Sequence, residues 1–546
     1  MNNNQDTTQT PAFVKVNRAL SQTAMNDDRA DGCYICQQAL YLSFFFDEPG
    51  HDAEREKGTE KITNLGKLYY SHAEQDTQRG VYPSYFNGLG VAFNERNQAV
   101  QEAAKDVATN NAKQLAKDRA IEAGKATLMR DWKDWLDPKK WGVELLGIAA
   151  KVGIESSRVR DNAAVAQITL SGVETRVENA LKKVAQTVKM QKLKVSKVHI
   201  AVFDAGMGGA LARLFVNKLV QACTANGDAL HYPTKDGAAV LQIHFLGLLD
   251  CISATFDDNL LVSKVTGTLS LGMATLRVNG AMGIPSCVEK TVHYVAGHEV
   301  SVTRRVDSVS KAKGRFTEQV LPGNHHDIVG GLASNLPGRS NQLARCALLE
   351  LYYEAFGAGV PMLSMEKLDK KDTYLYDSFQ FTNKLNIDSV KYGARALARA
   401  YGTTSGSLKE QLIAHQMRFI GWMRWHHLNG EKSPPGPSQS AFERVADQVK
   451  FFDRNLRTQS LENRTLLAAW RNPVALDGKS LNLFNYFVHD DLFDIPLNNA
   501  VADWASHGYL TWRGVDASDE VEAPQSDKKV AAYPSFNTGT AAQKSP

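Results

Sequence analysis

The apolar positions of this chain fall into short dense runs separated by longer helical patterns. Residues 40–46 read Leu-Tyr-Leu-Ser-Phe-Phe-Phe and stop at Asp47-Glu48-Pro49-Gly50, the pattern of a buried strand ending in a turn. Further runs of this kind lie at 197–203, 240–249, 291–296 and 318–321. Between the first two, residues 96–127 are rich in Ala, Lys, Glu and Gln without proline, and 172–190 has the same character, so both are expected to be helical. Strands alternating with helices, without hairpin spacing, predict an α/β fold with a largely parallel sheet.

Punctuation along the chain suggests its organisation. Residues 1–30 are polar and expected to be loose, and 31–365 would form one α/β domain carrying a helical insertion at 93–190. A mostly helical module follows at 366–513, interrupted at Pro434-Pro-Gly-Pro437, and 514–546 lacks periodicity and is expected to be a disordered tail. Within the insertion, Trp132, Trp135 and Trp141 beside Lys133, Lys139 and Lys140 suggest either a lid or a lipid-facing surface.

Composition narrows the function classes. Lys+Arg 63 against Asp+Glu 59 gives a net charge of +4 over 546 residues, too slight an excess for an overall nucleic-acid footprint. The start, Met-Asn-Asn-Asn-Gln-Asp, has neither the basic nor the apolar region of a secretory signal, and no apolar run approaches the roughly 20 residues of a spanning helix. Of six cysteines only Cys33 and Cys36 are close, and one C-x-x-C without a second pair is a weak metal or redox signal. No H-x-x-x-H or H-E-x-x-H pattern is present, so neither metal nor cofactor is expected.

Candidate chemistry gathers where strands would end. Asp250 closes the run 240–249, and His325, His326 and Asp327 follow the run 318–321 in a glycine-flanked turn. Residues 204–210, Asp-Ala-Gly-Met-Gly-Gly-Ala, form a glycine corner between a strand and a helix. Strand, sharp turn, helix, then Asp, then His is the chain order of α/β-hydrolases, whose turn carries a serine in G-x-S-x-G. Here Gly206 stands at the serine's position and Asp204 at the first glycine's, so the attacking hydroxyl is missing. The same turn could instead cradle a phosphate with the N–H groups of 207–209 or simply pack tightly.

These residues resemble a known family, the phospholipase effectors of the bacterial type VI secretion system, in particular the first class of type VI lipase effectors. The likeness spans most of 31–513. The family's strand ending F-F-D-G-T is matched by Phe45-Phe46-Asp47-Glu48-Pro49, and its T-N pair by Thr63-Asn64. The elbow flanks survive in Phe203, Ala210, Ala212 and Arg213, and G-L-F-D is matched by Gly247-Leu-Leu-Asp250. H-x-V-A-x-H-E corresponds to 293–299, P-G-x-H-S-D to 322–327, and the closing G-Y-x-x-x-R to Gly508, Tyr509 and Arg513.

The resemblance implies an α/β-hydrolase-like domain that hydrolyses glycerophospholipid esters, with Asp250 and His325 as triad acid and histidine and Gly206 in the nucleophile's place. Glu48, Met207 and Gly208 are the implied oxyanion and elbow residues. Because the serine is absent, the alternative is a catalytically inactive relative that binds lipid or a protein partner. Asp204, as another nucleophile, is a weaker idea. Asp204 is also expected to crowd the turn of any serine restored at 206. Implied partners are membrane phospholipid, a type VI spike protein or loading chaperone, and a cognate immunity protein. The implied route runs from the producer's cytoplasm through the type VI machinery to the target periplasm. His298, His326 and His489 receive no role, although His326 is expected to be an exposed turn residue.

Overall fold

A computed structural model describes residues 37–91, 172–227, 229–252, 282–301, 304–312, 314–332, 339–381, 406–429, 437, 439–490 and 508–517. The N-terminus expected to be loose, Cys33 and Cys36, most of the insertion with its tryptophans, positions 434–436 of the proline-rich break and positions beyond 517 lie outside the described residues.

The chain enters through strand β1 (Gln37–Phe46), short helices α1 (Ala53–Glu56) and α2 (Asn64–Ser71), and strand β2 (Val81–Phe86). Helix α3 (Val173–Met190) leads to β3 (Lys194–Ala205) and α4 (Gly208–Gln221). Strands β4 (Thr224–Asn226), β5 (Ala229–Thr234), β6 (Gly237–Leu249), β7 (Lys290–Ala296), β8 (Val306–Ser308) and β9 (Arg315–Leu321) follow. Helices α5 (His325–Val329), α6 (Gln342–Gly357), α7 (Met365–Lys371) and α8 (Thr373–Asp377) continue the domain. The last part holds α9 (Leu408–Asn429), α10 (Gln439–Arg454), α11 (Leu461–Arg471), α12 (Gly478–Tyr486) and strand β10 (Val515–Ala517).

Eight strands form one mixed, largely parallel sheet, so the chain has an α/β fold. The order β2-β1-β3-β6 is parallel throughout, and β6 continues in parallel to β7 and then β9. The first half of β6 pairs instead with β5, antiparallel, and β5 with β4. This hairpin corrects the expectation of a sheet without hairpins. Its turn is Lys235-Asp236 before Gly237, which has φ +119°, and Asp-Gly between apolar runs is a hairpin signal. Pro83 sits in β2, the end of the described strand order beside β1, an edge position where a missing N–H is tolerated.

The aromatic end of β1 explains its place inside the sheet. Phe44, Phe45 and Phe46 are all fully buried, and alternate side chains face opposite layers. Phe44 and Phe46 join the layer of α3 and α4, while Phe45 stacks on Phe203 at 4.7 Å in the layer of α2 and α6. Each such phenyl contributes about 1.5–3 kcal/mol of burial. Helix α3 buries Val173, Val177, Ala180, Val184 and Val188, a stripe at helical spacing, and ends at Gln191, whose side chain donates to Thr187 O at 2.6 Å.

The C-terminal helices have their own core around Phe419, Trp422, Trp470 and Phe484. They are also tied to the sheet domain. Val515–Ala517, in the stretch expected to be unstructured, pairs in parallel with β8. Among the described residues no helix is long and apolar enough to cross a membrane, and no cluster of His, Cys, Asp and Glu is suited to a metal ion.

Candidate functional site

The site lies where β1, β3, β6 and β9 end. Strand β3 runs out through Asp204 and Ala205 into Gly206, which has φ +58°. The end of β6 clamps this turn from both sides. Gly206 N–H donates to Leu249 O at 2.8 Å, and Gly206 O accepts from Ile252 N–H at 2.9 Å. Gly208 opens α4 so close to β1 that a Cβ there would strike the carbonyl of Phe46.

Asp250 terminates β6 with φ +46°, a left-handed conformation that non-glycine residues seldom adopt. Its own N–H donates to Tyr294 O at 2.7 Å, and its Oδ1 accepts from Ala296 N–H at 3.0 Å. These bonds to β7 hold the residue in its strained conformation. The side chain is fully buried against Arg513, whose Nη1 and Nη2 reach Oδ1 and Oδ2 at 3.2 and 3.0 Å. Burial alone would raise the pKa of Asp250, but Arg513 and then His325 outweigh it and hold the carboxyl well below the usual carboxylate range.

His325 is the first residue of α5, a helix whose N-cap Asn324 and third residue Asp327 form a reciprocal capping box. The His325 N–H donates to Glu299 Oε2 at 3.1 Å, and Glu299 is itself paired with Arg304 at 2.9 Å. The ring is fully buried, with Nδ1 at 2.7 Å from Asp250 Oδ2 and Nε2 at 3.1 Å from Glu48 Oε1. Two carboxylates can only accept, so both ring nitrogens donate and the ring is an imidazolium. Burial and the Arg304 charge work against this. Glu48 and Asp250 outweigh them and push the His325 pKa up to about 9.

Glu48 places its side chain where sequence reasoning assigns it no part. Its backbone N–H, expected to serve an oxyanion, donates to Asp47 Oδ1 at 2.8 Å. The Glu48 side chain instead reaches across the turn, where Oε2 accepts the Met207 N–H at 3.2 Å. A Cβ on Gly206 would run into that same oxygen, 2.6 Å from Glu48 Cδ and 2.9 Å from His325 Cε1. The carboxylate of Glu48 therefore stands where an elbow side chain would stand. Both N–H groups assigned to the oxyanion, those of Glu48 and Met207, already serve carboxylates of this chain.

Neighbouring residues explain several sequence matches. Asp47 accepts from Thr63 Oγ1 at 2.8 Å and Tyr85 OH at 2.5 Å, which fixes the loop carrying Glu48. Burial lifts the Asp47 pKa to about 6, with His51 opposing. Asn64 Nδ2 donates to Ile328 O at 2.8 Å and Ala344 O at 2.7 Å, joining α2 to α5 and α6. Arg213 of α4 forms a buried pair with Asp307 of β8 at 2.9 Å.

The remaining candidates lie outside the Asp250–His325 hydrogen bond, although the His326 ring packs edge-on against His325 at 5.4 Å. Asp204 is fully buried, a Cβ added at Gly209 would strike its Oδ2 and Cys251 Sγ, and no hydrogen bond links it to His325. Burial pushes its pKa far up despite Arg213. His326 is half-buried rather than exposed, with Nε2 at 3.2 Å from Arg304 Nη2. His298 Nδ1 accepts from Gly323 N–H at 2.9 Å, and its Nε2 meets His415 Nδ1 at 3.1 Å. His489 Nδ1 lies 2.7 Å from Asp327 Oδ1, tying the helical module to α5.

Comparison with known proteins gives no family model and no curated relative that matches. Among solved structures, an uncharacterized protein from Pseudomonas aeruginosa is similar with a TM-score of 0.49 and 18% identity, over 91% of this chain and 70% of that one. The Tle1 effector bound to the VgrG spike of the type 6 secretion system is similar with a TM-score of 0.36 and 13% identity, over 69% of this chain and 84% of that one. Both likenesses are too slight for chemistry to be transferred from them.

Proposed function

We propose that this chain is a serine-free relative of the type VI lipase effectors, an α/β-hydrolase-like protein that binds lipid or a protein partner without serine-esterase activity. One observation carries the reading: the Glu48 carboxylate fills the space over Gly206 and bridges His325 Nε2 to the Met207 N–H. An ester-cleaving triad needs a hydroxyl and a neutral histidine to take its proton. This site offers neither, because the ring is already protonated between two carboxylates. Loss of the nucleophile in a serine triad costs on the order of a million-fold in turnover.

The effector assignment rests on the sequence motifs of the family, and with it come the proposed spike or chaperone, the immunity protein and the periplasmic destination. The test is phospholipid release and vesicle binding by the purified full chain, beside His325→Ala. Vesicle or partner binding without release is expected. Robust release that His325→Ala abolishes would overturn the proposal.

A further inference from the structure

Glu48 does more than block a vacant place. Its carboxylate has the neighbours of a triad nucleophile: an imidazole nitrogen at 3.1 Å, a backbone N–H at 3.2 Å, and behind the imidazole an acid at 2.7 Å anchored by Arg513. Carboxylates are established covalent nucleophiles. Attack on an ester carbonyl would give an anhydride and lead nowhere useful. Attack on a saturated carbon with a strained leaving oxygen gives an ordinary ester, which water can then hydrolyse.

We propose that Glu48 is a carboxylate nucleophile that opens epoxides, with His325 as acid and then base, so that the site converts an epoxide to a vicinal diol. The inference rests on the reading that the site has no serine mechanism. The leaving group is chosen by the histidine. A ring oxygen departing as alkoxide needs a proton, and the resting site holds one on Nε2 beside the nucleophile; a halide would need none.

In the first step a Glu48 oxygen forms a bond to an epoxide carbon. The ring C–O bond breaks, its electron pair goes to the ring oxygen, and that oxygen takes the Nε2 proton. Glu48 is now a neutral ester and His325 a neutral base, still held through Nδ1–H by Asp250. Losing the Glu48 charge removes a main support of the imidazolium. In the second step a water gives a proton to Nε2 as its oxygen attacks Cδ of Glu48. The oxyanion that forms faces the Met207 N–H. Collapse breaks the ester bond, and the departing alkoxide takes the carboxylic proton. Glu48 carboxylate and His325 imidazolium are restored, one water is consumed, and no redox partner is required.

The experiment uses the full chain with styrene oxide and epoxystearic acid in heavy-oxygen water. Diol formation with heavy oxygen in the Glu48 peptide is expected from the wild type. His325→Gln lacks both the acid of the first step and the base of the second, so diol formation and labelling of the Glu48 peptide should both fall about 100-fold or more. Glu48→Gln should abolish both diol and labelling while its thermal melt shows a folded protein. If His325→Gln fails to fold, heavy-oxygen labelling of the wild type decides alone. Epoxides left intact by folded wild type, or labelling at any other residue, would overturn the proposal. Phospholipid release by the same preparation separates the two readings. A protein inert toward both substrates loses only this inference, whereas ester turnover with unlabelled Glu48 sinks the serine-free reading beneath it.

Discussion

Arg513 and Asp250 meet as a guanidinium fork on a carboxylate, Nη2 at 3.0 Å from Oδ2 and Nη1 at 3.2 Å from Oδ1, with both residues almost wholly excluded from solvent. The arginine is held in turn by the carbonyls of Arg304 at 2.8 Å and Ala296 at 3.1 Å. The last residue of the C-terminal module thus sets the charge of the acid at the end of β6.

Removing that arginine leaves a buried carboxylate without its strongest counter-charge. Arg513→Ala should cost about 3–5 kcal/mol of stability. Arg513→Lys should recover only part, since lysine cannot form the fork. Urea unfolding of the three proteins checks this, and equal midpoints would refute it.

Restoring the serine alone should not restore an esterase. At Gly206 a side chain must adopt φ +58° and displace the Glu48 carboxylate, so Gly206→Ser should lack measurable hydrolysis of short-chain esters. The residue that crowds the turn is Glu48 and not Asp204, which lies against Gly209 and Cys251. Glu48→Ala with Gly206→Ser should therefore outperform Asp204→Gly with Gly206→Ser. A nitrophenyl ester assay ranks the variants.

Stability should fall on the alkaline side through His325. Its folded pKa is raised from 6.5 to about 9, so the imidazolium's contribution is whole below about 6.5 and is lost as pH rises through about 9. Glu48→Gln should move the ring's titration downward. Proton NMR of the His325 ring across this range reads both effects, and a ring titrating near its ordinary value in the wild type would refute the charge assignment.

A second histidine pair should act on the acid side. Burial lowers the pKa of His298 well below 6.5 and that of His415 to about 3, so both stay neutral when folded. The unfolded chain binds more protons below about 6.5, and the contribution present above that value is lost as pH falls through about 3. Replacing His415 by Gln should flatten the slope of unfolding free energy against pH in that window. An unchanged slope would count against the pair.

What could be read from the sequence was local. The aromatic run of β1, the glycine corner at 206 and the acid closing β6 each show in neighbouring residues, and chain order made His325 the natural candidate histidine. The Asp236-Gly237 hairpin is equally local, although a reading of strands without hairpin spacing points away from it. The role of the Glu48 side chain was not legible, because its partners Met207 and His325 lie 159 and 277 positions away. No periodicity records such a meeting. The available hint is that, against the motifs the chain resembles, Glu48 stands where a glycine is expected and Gly206 where a serine is expected. Arg513 left only its place in a closing motif.

The Arg513–Asp250 contact also has a consequence in time. The two residues are 263 positions apart, so at roughly 5–20 residues per second a ribosome adds Arg513 about 13–53 seconds after Asp250. Throughout that interval β6 has been synthesised but the counter-ion for its terminal acid has not. The nascent chain must keep Asp250 hydrated or protonated, and a chain cut short before residue 513 would have to bury that acid with His325 but without the guanidinium.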